Sequence, residues 1–483
     1  AIGPARKVWK VDLSSELSVR GAQIDDVRRT SIAKLGIWLL ISCLGIAGCR
    51  LSSWNGSLDA WQYYLGIGSF VLTAVSLMLA IGTVAPAAIS IVRRTLGSSA
   101  RGSSVNFRLA SANLIRNPTR TGTMAVAIAG AVGIAFIAAS FNRSTTQSIT
   151  GSMNRRASNW VYVSLGKPAS ITIDSEERFS AALLGKLSNV PGASRVVSQV
   201  GVLTGHDSGS LIGVETSDDP NVVGIPIIAG TASPKALIDG QAIVGTGLAR
   251  NQNLRPGSLL HLDTPTGIVG IRVAGIWENG DFNGSSAFIS EGEMQRLYGI
   301  QMPTNVYVYP IRGVTSIQLA ERIKAARLAP DLHVSTQAQA ISAEVASASN
   351  QLAPFWELQK AMMVLSFIAI LSTLTLAGVQ RVKEYAVMSA IGLDSSGLRR
   401  LVFTEAGMIS IVGSLLGGVL GVVVVYSLVA ITPLVIGYHD PFALAPTYFF
   451  GYSMLAIVTT LLAAALPAHR AANIPAVEGL REE

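Results

Sequence analysis

Five stretches of this 483-residue chain contain no aspartate, glutamate, lysine or arginine: 60–92, 121–142, 361–380, 406–439 and 441–469. Each is long enough to cross a hydrocarbon core about 30 Å thick, which takes about 20 apolar residues at about 1.5 Å of rise per residue. A shorter run from Leu35 to Cys49 adds a sixth, because Lys34 and Arg50 can snorkel from its ends. The expected fold class is therefore a polytopic α-helical membrane protein with about six transmembrane helices. Hydrophobic residues make up 49% of the chain and charged residues 14%, far from an average soluble composition.

The formal net charge of +8 would suit a nucleic-acid partner if it were spread over a folded surface, but it is not. Residues 143–355 hold 16 basic and 16 acidic side chains and so contribute nothing to it. The excess sits in 1–34, with seven basic and four acidic residues, and in 93–120, with six arginines and no acid. Basic clusters beside membrane spans mark the cytoplasmic side. No nucleic-acid partner is expected, and the topology follows: cytoplasmic segment 1–34, two transmembrane helices in 35–92, cytoplasmic loop 93–120 and a transmembrane helix 121–142. Next come an extracytoplasmic domain 143–355, a transmembrane helix 356–380, a cytoplasmic loop 381–405, two transmembrane helices in 406–468 and a cytoplasmic tail 469–483.

Within this plan, Val105 to Asn117 reads as an amphipathic helix at the inner surface, ended by Pro118. Ala125, Ala129 and Gly133 are spaced four apart in the third span, and Gly413, Gly417 and Gly421 repeat the spacing in the fifth. Small residues on one helical stripe let backbones approach closely in lipid, so both stripes are expected to be helix-packing sites. The region 143–355 alternates short β-like runs with helical ones, including a helix over Glu177 to Leu187, and reads as α+β.

Nothing in that region has the pattern of a catalytic centre. His206, Asp207 and Ser208 are consecutive, whereas a triad converges from separate elements. His261 and His333 have no second ligand at metal spacing, so no metal site is expected. Both cysteines, Cys43 and Cys49, lie in the first span, so the external domain must stand on its own core. No phosphate-binding G-x-x-x-x-G-K-[ST] loop occurs: Gly166-Lys167 is followed by Pro168 and Gly185-Lys186 by Leu187. The chain is not expected to be an enzyme, and any ATP and magnesium would be bound by a separate subunit.

From Gln380 to Leu393 the chain reads Gln-Arg-Val-Lys-Glu-Tyr-Ala-Val-Met-Ser-Ala-Ile-Gly-Leu. This resembles the C-terminal repeat of FtsX/MacB-type ABC transporter permeases, whose pattern falls on Arg381, Glu384, Ala386, Val387, Ala390, Ile391 and Gly392, with an acidic residue at Glu405 opening the next helix. Two further blocks agree: Asn113, Leu114, Arg116, Asn117, Pro118, Arg120 and Thr121 before the third span, and Pro467, Ala468, Arg470, Ala471, Ala472, Pro475, Ala476, Leu480 and Arg481 at the end. The segment from Ala242 to Gly299 looks like a MacB-type core domain. Ser389 departs from the pattern, where a basic residue is common.

The resemblance implies that Arg381, Lys383, Glu384, Ala386, Val387, Ala390, Ile391 and Gly392 form the contact with a cytoplasmic ABC ATPase, as a dimer. It also implies a bacterial inner or plasma membrane location with the large domain outside. The first two helices look like the linker pair of long, ten-helix, two-repeat relatives, so the chain reads as the C-terminal half of such a permease. Expected partners are therefore an N-terminal half or a second permease copy, membrane lipid, and an extracytoplasmic cargo or protein. The function implied is transmission of ATP-driven motion to the external domain, for export or release of lipid-linked, peptide or lipoprotein cargo. Two alternatives stand beside it: a non-transporting sensor or regulator that senses peptides or activates a cell-wall hydrolase, and a membrane-anchored adhesion or scaffold protein.

Overall fold

A computed structural model describes residues 20–53, 59–99, 105–116, 118–156, 159–166, 177–203, 210–214, 226–278, 284–351, 353–380 and 394–472. In hydrocarbon a backbone must satisfy its own polar groups, and the apolar stretches do so as helices. Helices α1 (Arg20–Ser52) and α2 (Ala60–Ser99) form a hairpin, followed by the short α3 (Val105–Arg116) and the long α4 (Pro118–Arg156). After the external domain come α11 (Ala353–Gln380), α12 (Ser395–Val435) and α13 (Pro446–Ala472). Among the described residues, five helices are long and apolar enough to cross a membrane: α1, α2, α4, α12 and α13. The expected sixth, α11, carries the charge-free run 361–380 and packs against α4 and α13.

The spans α4 and α12 are mostly buried inside the protein, whereas α1, α2 and α13 leave most of their residues facing outward. The expected span 121–142 is part of a longer element, because α4 starts at Pro118 and continues to Arg156. Pro118 occupies the first position, where its missing N–H costs no hydrogen bond. Beyond residue 142 the sequence turns polar, and the helix continues as a stalk that packs against α10 (Gln337–Gln351). There Ser349 Oγ lies 3.0 Å from Asn142 Oδ1.

The external domain is built on a ten-stranded sheet with strand order β10-β1-β9-β2-β3-β8-β5-β7-β4 and with β6 paired to β7 alone. Its proximal half holds β1 (Val161–Leu165), β2 (Ala193–Leu203), β9 (Asn305–Pro310) and β10 (Leu332–Thr336), all antiparallel. On one face Val163, Val306 and Val308 pack with Phe179 and with Leu187 and Leu319 of α5 (Ala181–Ser188) and α9 (Ser316–Ala325). On the other, Trp160, Tyr162 and Tyr307 pack against Ala340 of α10. Helix α5 starts at Ala181 rather than at Glu177, because the Ser180 side chain accepts from Leu183 N and caps it there.

The distal half holds β3 (Ser210–Val214), β4 (Ile227–Gly230), β5 (Ala242–Gly245), β6 (Leu259–Thr264), β7 (Gly267–Trp277) and β8 (Ser286–Ser290), with α6 (Pro234–Ile238), α7 (Thr246–Asn251) and α8 (Glu291–Tyr298). Its pairings mix directions: β3 with β8 and β5 with β7 are parallel, while β5 with β8 and β4 with β7 are antiparallel. Leu248, Leu260, Leu262, Val273, Ile289 and Met294 form its main core. A second cluster stacks Trp277 on Phe288 with ring centroids 4.5 Å apart. The domain thus packs separate proximal and distal cores on one continuous sheet.

Candidate functional site

The expected ATPase-coupling residues, Arg381, Lys383, Glu384, Ala386, Val387, Ala390, Ile391 and Gly392, lie outside the described residues. What surrounds their loop is well defined. The chain leaves it at Asp394, which caps α12: Oδ1 accepts from Gly397 N at 2.9 Å and Oδ2 from Ser396 Oγ at 2.6 Å. The Ser396 hydroxyl and the Gly397 N–H hold this carboxyl below the ordinary carboxylate range. One turn further on, Leu398, Leu401 and Val402 are buried against Ala110 and Leu114 of α3.

The amphipathic α3 therefore lays its apolar face on α12 and α2, where the sequence suggested only the inner membrane surface. It is tied there by polar contacts as well. Asn113 Nδ2 donates to Glu405 Oε1 at 2.7 Å, and Glu405 is buried. Thr121 Oγ1 at the start of α4 donates to the Leu114 carbonyl at 2.7 Å. A buried carboxylate needs such partners, since desolvation without them is costly. The inner ends of α3, α4 and α12 are consequently tied into one platform.

From this platform α12 runs across the bundle against α4, and the small-residue stripes meet at their crossing. A Cβ placed on Gly413 would come within 2.9 Å of Ile128 Cβ, and one on Gly417 within 2.8 Å of the Ala129 carbonyl oxygen. On Gly421 it would meet the Phe136 ring at 2.5 Å, and on Gly133 it would lie 2.9 Å from Leu420 Cδ2. Ala125 and Ala129 are buried on the α4 side of the same contact. Close backbone approach of this kind is what small residues permit in lipid.

At its outer end α12 stops at Val435, and the loop 436–445 leads to α13. Serines and threonines of α4 line up against this loop. Thr145 Oγ1 donates to Asp440 Oδ2 at 3.2 Å, the Ala443 N–H donates to Ser144 Oγ at 3.2 Å, and the Ala445 N–H donates to Ser140 Oγ at 3.2 Å. Ser148 Oγ donates to the His439 carbonyl at 3.4 Å. Asp440 is buried, and burial pushes its carboxyl up from 3.8 to about 6. On the other side the loop touches the distal half of the external domain. Thr246 Oγ1 donates to the Gly437 carbonyl at 2.8 Å, and His439 Nδ1 pairs with Glu278 Oε1. The hydrogen bond with Glu278 holds the His439 imidazole above its ordinary pKa.

None of these outer contacts was singled out from the sequence, although two signals were present. Asp440 is the only Asp, Glu, Lys or Arg between 406 and 469, and Ser140, Ser144 and Ser148 repeat every four residues at the polar end of an apolar helix. Among the described residues no group of His, Cys, Asp and Glu is placed to hold a metal ion.

Residues 361–476 match the FtsX-like permease C-terminal family, and residues 121–326 match the MacB-like periplasmic core domain. No curated protein sequence matches the chain. Among solved structures, the extracellular domain of the noncanonic ABC-type transporter YknZ from Gram-positive bacteria is similar at 15% identity. That match covers 37% of this chain and 100% of that one, with a TM-score of 0.28. The periplasmic region of MacB from Actinobacillus actinomycetemcomitans is similar at 12% identity, covering 40% of this chain and 94% of that one, with a TM-score of 0.30.

Proposed function

Since the chain is an FtsX/MacB-type permease of ABC-type transporters, multi-pass in the bacterial inner membrane with its large domain outside, we propose that it converts the strokes of a separate cytoplasmic ATPase into movement of that domain. The observation that carries this reading is α12. It begins at Ser395, inside the stretch 381–405 that the sequence suggests is a loop, and runs unbroken for 41 residues to Val435, where the loop that touches the external domain starts. At about 1.5 Å per residue that is a rod about 60 Å long. Its inner end is fixed to α3 through Asn113 and Glu405, and its middle is in backbone-close contact with α4. Displacement at one end must therefore reach the other.

In this reading Glu384 to Gly392 form the grip for the ATPase, with Arg381 and Lys383 supplying charge beside it. ATP and magnesium belong to the partner subunit, since this sequence has no Walker-type phosphate loop. The work done outside is export or release of a lipid-linked, peptide or lipoprotein cargo. The test is to co-purify the chain with its ATPase and compare wild type with Ala390→Glu and Gly392→Val. Both variants are expected to insert normally yet to lose at least tenfold in complex formation or in permease-dependent ATP hydrolysis. Wild-type values for both in both variants would remove the mechanistic centre of the proposal.

A further inference from the structure

The two halves of the external domain are attached to the membrane in different ways. The proximal half is joined to the bundle by the chain itself, through α4 into β1 and through β10 into α10 and α11. The distal half, β3 to β8, both starts from and returns to the proximal half, so its hold on the bundle is non-covalent. One such hold is at α2, where Arg255 pairs with Asp59 and the Arg250 guanidinium sits 5.5 Å from the centre of the Tyr63 ring. The Arg255–Asp59 pair is about half exposed on both sides, and exposed ion pairs of this type hold geometry weakly.

The hold at loop 436–445 adds a buried hydroxyl bond to a partly exposed pair. Thr246, which gives its hydroxyl to the Gly437 carbonyl, is wholly buried at the start of α7. Glu278, at the end of β7, takes the imidazole and, at 3.5 Å, the backbone N–H of His439. The loop itself has little freedom. Its Ile436 N–H returns to the Thr432 carbonyl at 2.7 Å, Gly437 adopts φ +93, and Asp440 N–H reaches Thr432 Oγ1 at 3.4 Å. The remaining bonds run to Ser140, Ser144, Thr145 and Ser148 of α4, the helix that continues into the proximal half.

We propose that the loop 436–445 is a clasp that fixes the distal half of the external domain to the outer end of α12, so that sliding of α12 against α4 tilts the distal half relative to the proximal half. Thr246 and Glu278 are its positioning residues on the domain side, and Thr145 and Ser144 hold it on the helix side. The use of the clasp rests on the permease reading above; its existence does not. Buried hydroxyl-to-carbonyl bonds fix such a geometry because breaking them strands polar groups out of water.

The test uses the full chain in phospholipid vesicles, with Cys43 and Cys49 replaced by serine. Spin labels are placed at Asp263→Cys in the distal half and Thr447→Cys at the start of α13, both exposed positions. The wild-type pair is expected to give one narrow distance distribution, and Thr246→Val with Glu278→Gln to broaden it at least twofold. An unchanged distribution in the double variant overturns the clasp. A second measurement stands in if that variant folds poorly: Glu278→Cys with His439→Cys should join in high yield with a short bismaleimide, and failure to join likewise overturns it. With the ATPase bound, addition of ATP and vanadate should shift the wild-type distance and leave the double variant unshifted. A double variant that shifts like wild type overturns the proposal. A wild-type complex with no shift counts against the permease reading alone, because the broadening is measured without nucleotide.

Discussion

Asp440 and His439 are neighbours in sequence that titrate for different reasons but with one sign. Burial raises the Asp440 carboxyl from 3.8 to about 6, so the folded state holds its proton more tightly than the unfolded chain does. Its contribution is complete in acid and is lost as pH rises between those values, to an extent on the order of 3 kcal/mol. His439 is raised by its hydrogen bond with Glu278, so its contribution is complete below the ordinary 6.5 and is lost as pH rises through the higher folded value. Stability of the outer loop should therefore fall from pH 4 to pH 8. Asp440→Asn, neutral throughout, is expected to flatten the lower part of that slope and to melt about 5 °C above wild type at pH 7.5, with little difference at pH 4. Thermal unfolding in detergent at the two pH values checks this, and a variant that melts lower than wild type at pH 7.5 contradicts the cause given for the shift.

Among the elements, the crossing of α4 and α12 is decided by a few missing methyl groups. Alanine at Gly417 would put its Cβ 2.8 Å from the Ala129 carbonyl and 3.0 Å from Ala129 Cα, both backbone atoms that no rotamer change can move. Gly417→Ala is expected to cost about 1–3 kcal/mol by forcing the helices apart. Gly407, on the same helix, has nothing within 4 Å of the corresponding position. Gly407→Ala should be neutral or stabilising, because alanine is the better helix former by up to about 1 kcal/mol. Denaturation of the two variants in detergent separates contact from propensity: equal stabilities would mean that the α4–α12 crossing is not tightly packed. The stripe itself was legible because period-four small residues stand out against Leu and Val; which stripe faces which was not, since each helix alone offers several faces.

For the molecule as a whole, orientation follows from the arginines on one side and the neutral external domain on the other. In a chain with both native cysteines replaced by serine, a cysteine at Asp263 should react with an impermeant maleimide in intact cells, and one at Ser396, near the start of α12, should react only after the membrane is opened. Both positions are exposed, so accessibility decides the result. Reaction at Ser396 alone would invert the topology.

Charge-free length determined the helices by itself, since a segment of about 20 apolar residues has few folds open to it other than a span. Arginine bias assigned the sides, and motif order carried the likeness to the permeases. In the external domain the alternation of short β-like and helical runs could be read as α+β from local periodicity, whereas the order in which the strands pair could not, because the partners lie far apart in the chain. Tertiary structure alone decided that α3 covers α12, that β3 pairs in parallel with β8, Ser210 opposite Ser286, and that Thr246 and Glu278 meet Gly437 and His439. The reason is physical. Burial pattern and helix length are properties of neighbouring residues, but a polar group far along the chain finds its partner only after packing has brought the two together and removed the water that would otherwise satisfy them.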